Sequence, residues 1–280
     1  MPRKLAYLLS VITGCAAAAP AFAQDVSSVA VTPLEQPQTS DPSRLSGFIG
    51  LGGAMTPKYD GSDKYEPSPF VIGNIDWAGM ELQLRGTRAK LDLLGPSRFQ
   101  AGPAFGYRSK RKHKDGSGRV ALLPDIKSAI EAGGFVGYRF GGNDAGRGEI
   151  TFDLTVLKDV NDAYDGYLAT AQMSYAALRS RKLSLDADIS TTYGSGKYMR
   201  TYFGVSPEDA SVSGLGSYRP GAGLRDVSAG ITAGYRLSER WGLIARLGGS
   251  YYVGDVRDSP IVKEGAKFQG TAALGVTFRF

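Results

Sequence analysis

The chain has 280 residues, 42% of them hydrophobic, with 38 Gly, 15 Tyr, 12 Phe and a single Cys, and carries a formal net charge of +6. That aliphatic content is too thin for a bundle of membrane helices, and beyond the first two dozen residues no apolar run reaches spanning length. So mild a charge gives no argument for nucleic acid, and one cysteine rules out a disulfide framework or a thiolate metal site.

Arg3 and Lys4 precede an apolar stretch from Leu5 to Ile12, and Ala21-Phe22-Ala23 lies just before Gln24. This is the layout of a Sec-type signal peptide over 1–23, cleaved after Ala23. A rival processing site is Ile12-Thr13-Gly14-Cys15, which would leave Cys15 as a lipidated first residue. Cleavage after Ala23 removes the only cysteine and lowers the net charge to about +4. Residues 24–44 are rich in Ser, Thr, Gln and Pro (Pro33, Pro37, Pro42) and have neither helical nor strand period, so they read as a flexible arm. The remainder, 45–280, has no composition break and no internal repeat and is taken as one domain.

Period-two alternation runs through that domain. Ile150, Phe152, Leu154 and Val156 oppose Thr151, Asp153 and Thr155, while Leu183, Leu185, Ala187, Ile189 and Tyr193 oppose Ser184, Asp186, Asp188, Ser190 and Thr192. In 241–253 the apolar face reads Trp241, Leu243, Ala245, Leu247, Gly249, Tyr251, with aromatics only at its ends. Ten residues of strand cover roughly 33 Å, or about 25 Å of height at a tilt of about 40°, which matches a lipid-facing band between two aromatic girdles. Strands are predicted near 45–56, 67–77, 79–86, 87–95, 97–109, 128–140, 147–158, 165–178, 182–194, 224–237, 240–254 and 266–280. The count is twelve, or ten if 67–86 is not a hairpin.

Short turns alternate with long connections, so the long ones face outward and the short turns and the arm face the periplasm. The closing strand puts Ala272, Leu274, Val276, Phe278 and Phe280 on one face and resembles the C-terminal strand that bacterial outer-membrane barrels present to their barrel-assembly machinery; Val276, Phe278 and Phe280 carry that signal. The fold expected is therefore all-β, a transmembrane antiparallel up-and-down β-barrel in a Gram-negative outer membrane. A soluble barrel or sandwich would show the same period with the apolar face turned inward.

Candidate sites are few. The one histidine, His113, lies in a basic loop with no strand to hold a triad, so a hydrolase is disfavoured, and no cofactor or metal ligand set stands out. Lys110, Arg111, Lys112, Lys114 and Arg119 are candidates for contacts with lipopolysaccharide phosphates. Glu131, Arg139, Asp153, Asp186, Asp188, Arg236, Arg246 and Arg279 fall on expected lumen faces, where they either pair into a plug or line a narrow pore. A calcium-like oxygen site from Asp60, Asp63, Asp255 and Asp258 requires their loops to converge.

Several loop segments resemble the MltA-interacting protein (MipA/OmpV) family of Gram-negative outer membranes. The residues that carry the resemblance are Tyr59, Gly61, Ser62 and Asp63 with Pro67 and Pro69 in the first loop, Tyr202-Phe203-Gly204 in the long one, and Asp258-Ser259-Pro260 near the end. The resemblance implies a non-enzymatic barrel and, for the family's namesake, a scaffold linking a lytic murein transglycosylase to a murein synthase. A narrow diffusion pore, or a surface adhesin or stress-response protein, are the alternative roles. The same Gly, Pro, Asp and Ser residues are also ordinary turn formers that would shape loops over the barrel mouth.

Overall fold

The computed structural model describes residues 45–280 except Ser117, together with the backbone but not the side chain of Lys114. The signal peptide and the arm lie outside the described residues. Twelve strands close into one antiparallel barrel in which every strand pairs with its sequence neighbours and β1 pairs with β12. They are β1 (Ser46–Pro57), β2 (Tyr65–Trp77), β3 (Met80–Arg85), β4 (Arg88–Asp92), β5 (Phe99–Arg108), β6 (Ala129–Gly141), β7 (Glu149–Asp159), β8 (Tyr167–Arg179), β9 (Leu183–Gly194), β10 (Gly223–Arg236), β11 (Trp241–Tyr252) and β12 (Phe268–Arg279). The hairpin within 67–86 is present, which settles the count at twelve. Its turn places both Ala78 (φ 53°) and Gly79 (φ 77°) in the left-handed region, as a tight two-residue hairpin requires.

The alternation read from the sequence is realised with the oily side outward. Leu247 is 67% exposed, Leu274 64% and Leu51 59%, whereas Asp186, Asp188, Glu131 and Arg246 are all buried inside. A soluble sheet protein has the opposite arrangement, so this wall is built for hydrocarbon, where a closed sheet leaves no strand edge unsatisfied. Aromatics ring both ends of the band. Trp241 packs on Phe278 (centroids 4.9 Å apart) and Phe99 on Tyr138 (4.7 Å) at the short-turn end, and Tyr167 lies beside Tyr193 (6.4 Å) at the other. Among the described residues no helix is long and apolar enough to cross a membrane.

The long connections depart from the sequence reading. They are not open loops but carry four short helices, α1 (Gly196–Phe203), α2 (Pro207–Ser213), α3 (Gly254–Asp258) and α4 (Pro260–Glu264), and two 3-10 turns at His113–Asp115 and Gly118–Leu122. Pro67 and Pro69 likewise belong to β2 and not to the first loop.

Candidate functional site

The outward mouth of the barrel is closed by these connections, each drawn inward by a few side chains. The first one turns at Gly61 (φ 95°), whose carbonyl accepts from Ala266 N at 2.9 Å, and a Cβ there would come within 3.2 Å of Val262. Ser62 ties the turn off, its hydroxyl donating to Lys64 O (3.1 Å) and accepting from Lys64 N (3.0 Å). Helix α1 is started by Ser195, which accepts from Tyr198 N at 3.4 Å, and it buries Tyr198, Met199, Tyr202 and Phe203, one face of a helix at spacing i, i+1, i+4, i+5. Ser259 joins α3 to α4: its hydroxyl donates to Phe203 O (2.7 Å) and accepts from Ile261 N (3.2 Å), and Pro260 occupies the first turn of α4. With Tyr164, Leu168, Tyr252, Val256 and Val262, the α1 face forms a buried apolar cap.

Under the cap lies a buried polar cluster. Arg108 reaches Asp60 (Nη1 to Oδ2, 3.2 Å) and Glu131 (Nε to Oε1, 3.3 Å), with its guanidinium 5.2 Å from the Tyr198 ring and 5.4 Å from the Tyr202 ring. Asp60 also accepts from the Tyr198 hydroxyl (3.1 Å) and the Tyr252 hydroxyl (3.5 Å), and Glu131 accepts from the Tyr164 hydroxyl (2.9 Å). Gln269 accepts from Tyr252 (2.6 Å) and donates to the carbonyls of Tyr59 (3.3 Å) and Ser62 (2.9 Å). Arg225 donates to the Tyr198 hydroxyl (2.9 Å) and pairs with Asp226; both residues are buried because the β9–β10 register slips between Leu224 and Asp226, a bulge that aims two consecutive side chains inward. Burial pushes the phenols of Tyr198 and Tyr202 up against the opposing pull of Arg108, and it does the same to Tyr164 with help from Glu131, so all three keep their protons; Tyr198 and Tyr164 donate theirs to Asp60 and Glu131.

Further down the lumen the charges pair across strands. Arg246 holds Asp188 (2.7 and 3.1 Å) and Thr232 (2.9 Å), Lys90 holds Asp153 (2.5 Å), Arg139 holds Glu81 (2.5 Å), and Arg179 pairs with Asp186. Arg236 and Arg279 line the short-turn end beside Ser184 and Thr277. Of the lumen-facing charges expected from the sequence, Glu131, Arg139, Asp153, Asp186, Asp188 and Arg246 are thus ion-paired beneath the aromatic cap.

The family model described as MltA-interacting protein MipA matches residues 49–280. The chain belongs to this family. A family member with a closed barrel and an apolar outer band is an outer-membrane barrel protein. No curated protein sequence matches the chain. Among solved structures it is similar to a NanC porin (9% identity, TM-score 0.47, 83% of this chain and 100% of that one). It is also similar to the translocator domain of autotransporter NalP from Neisseria meningitidis (12%, 0.42, 86% and 90%) and the COG4313 outer membrane channel from Pseudomonas putida F1 (13%, 0.39, 90% and 100%).

The residues that carry the MipA resemblance come together. Tyr59, Gly61, Ser62, Tyr202, Phe203, Gly204 and Ser259 all lie in the cap or its joints, and a Cβ on Gly204 would meet Arg200 O at 2.4 Å where the chain leaves α1. Asp63 and Asp258 sit at its exposed surface, and Asp258 lies 3.6 Å from Lys263. Val276 and Phe278 face outward on β12, and Phe280 exchanges backbone hydrogen bonds with Gly47 (3.1 and 3.2 Å), closing the seam. Sequence reasoning missed Arg108, Tyr164, Tyr198 and Gln269. The available signal was the helical spacing of Tyr198, Met199, Tyr202 and Phe203 within a segment read as loop.

One reading needs correction. The four aspartates of the calcium-like site do not converge: Asp60 faces Arg108, Asp255 accepts from Gly221 N (2.9 Å), and among the described residues no group of three or more His, Cys, Asp or Glu is disposed to hold a metal. The basic loop residues with described side chains differ in their surroundings. Arg111 is buried and donates to Tyr202 O (3.3 Å), and Arg119 is tied to Glu264 (2.7 Å) on α4; Lys110 is exposed and Lys112 half-buried. His113 is exposed, with Nδ1 3.0 Å from Asp125.

Proposed function

We propose that the protein is a sealed, non-enzymatic outer-membrane anchor that holds murein-remodelling enzymes, a lytic transglycosylase and a murein synthase, at its periplasmic end. The observation that carries this reading is the capped mouth: a lumen filled by cross-strand ion pairs under an aromatic lid suits a rigid platform better than a conduit. The family description, which names an interaction with MltA, supports a transglycosylase as partner. Further support comes from the short turns, which expose Arg98, Arg147, Arg181, Lys182 and Arg240 against only Asp144 and Glu239, a basic rim suited to an acidic protein surface or to murein carboxylates.

The test is capture of purified murein transglycosylase and synthase by the barrel reconstituted in lipid. Retention of both, weakened when the five rim cations are replaced by glutamine, supports the anchor. Failure to retain either enzyme rejects it. In planar bilayers the same preparation should give no steady ionic current; steady current would favour the diffusion pore.

A further inference from the structure

One side of the wall is short. Strands β3 and β4 have 6 and 5 residues, against 10 or more in every other strand. Beside β1, β2 runs up to Tyr65, but β3 accompanies it only as far as Ile72; likewise β5 continues to Arg108 beside β6, while β4 begins at Arg88 opposite Gly106. Above the Gly86–Thr87 turn, β2 and β5 therefore face each other across a notch. Tyr65 to Phe70 leave roughly 20 Å of β2 edge without a strand partner, in the half of the wall nearest the outward mouth.

The chemistry of that edge is one-sided. Gly86 N donates to Val71 O at 2.8 Å, so odd-numbered β2 residues turn their backbone groups toward β3. Pro67 and Pro69 share that parity, so their carbonyls point into the notch and, being prolines, they present no N–H. Both rings face outward. Pairing with a strand of a second copy is blocked because two ladder donors are missing. Hydrocarbon cannot satisfy the two carbonyls either; an occupant with hydroxyl or amide N–H donors can. Exposed Lys64 and Lys110 flank the two sides.

We infer that this notch is a docking site for lipopolysaccharide. Hydroxyl and amide groups where its acyl chains meet the sugar donate to the Pro67 and Pro69 carbonyls, and its phosphates meet Lys64 and Lys110. The occupant follows from the outer-leaflet height, the two proline carbonyls that lack a companion N–H, and the flanking cations together.

The full barrel is reconstituted in vesicles of phosphatidylethanolamine, phosphatidylglycerol and lipopolysaccharide, extracted in mild detergent, and its retained lipids are quantified. Pro67→Val with Pro69→Val restores two N–H groups, and Lys64→Gln with Lys110→Gln removes the charges. Each pair should cut retained lipopolysaccharide about fivefold or more with phosphatidylglycerol unchanged, in keeping with the loss of two modest hydrogen bonds or ion contacts. Native-like retention in the valine pair, with the heat-dependent gel mobility of a folded barrel, overturns the assignment. So does equal enrichment of phosphatidylglycerol in the native protein, or disulfide dimers formed through Pro67→Cys. If the valine pair does not fold, the glutamine pair decides alone, and unchanged retention there rejects the site.

Discussion

Replacing Arg108 by methionine should unlatch the cap while leaving the barrel wall intact. The guanidinium touches both Asp60 and Glu131, and it lies against two tyrosine rings. Methionine fills much of the same space but leaves Glu131 with only the Tyr164 hydroxyl among its side-chain donors and Asp60 with two tyrosines and a distant Arg225 at 4.0 Å. Breaking a buried pair in this way costs about 3–5 kcal/mol, because the surviving carboxylates stay desolvated. The strand ladders do not depend on Arg108, so the loss should appear as local opening: amide exchange of Tyr198–Phe203 should accelerate by roughly two to four orders of magnitude while β9 and β11 stay protected. Adding Glu131→Gln to the Arg108→Met background removes one orphaned charge and should recover about 1–3 kcal/mol. Exchange in α1 accelerated by less than about tenfold, or a double variant no better than the single, would refute the claim that Arg108 latches the cap through its two carboxylates.

Other consequences are equally direct. Gly61→Ala forces a side chain into a left-handed backbone against Val262 and should lower thermal stability by about 1–3 kcal/mol, read as a shift in the temperature of gel-mobility conversion. Leu247→Arg, in the middle of the lipid-facing band, should cost about 2–4 kcal/mol in urea unfolding from vesicles, whereas Ser250→Arg on the lumen face should not follow that depth dependence. The Arg119 hydrogen bond holds the Glu264 carboxyl below its ordinary range, so the contact between the basic loop and α4 is fully present above the unfolded value near 4.5 and is lost as pH falls through the lower folded value. Proteolysis of the 109–128 connection should therefore rise as pH falls below about 4.5 in the native protein, and the rise should be smaller in Glu264→Gln.

The wall was legible in the sequence because a sheet between lipid and a polar lumen obeys one rule at every position. Ile189 must be oily and Asp188 need not be, and that alternation located the segments and grouped their charges on one face; the aromatic girdles and the closing strand pointed the oily face to lipid, and 67–86 left the count at twelve or ten. The pairing of Asp188 with Arg246, on a strand two places away, was not legible, since it depends on how far the register advances from strand to strand. The cap was hidden for a different reason. Its helices are five to eight residues long, below the length at which helical period stands out, and they are held by tertiary contacts such as Ser259 to Phe203 O and not by propensity. Glycine and proline in those segments signalled turns correctly, but turn formers say nothing about whether a connection folds over the mouth or away from it.

The slip in register at Leu224 has an evolutionary reading. By absorbing one residue at the rim, it lets Arg225 and Asp226 serve the stopper while every position from Val227 to Arg236 keeps its facing toward lipid or lumen. Insertions and deletions above that point can reshape the outward surface, even radically, without turning a single oily residue of the wall the wrong way. The frame and its stopper are thus free to diversify at different speeds.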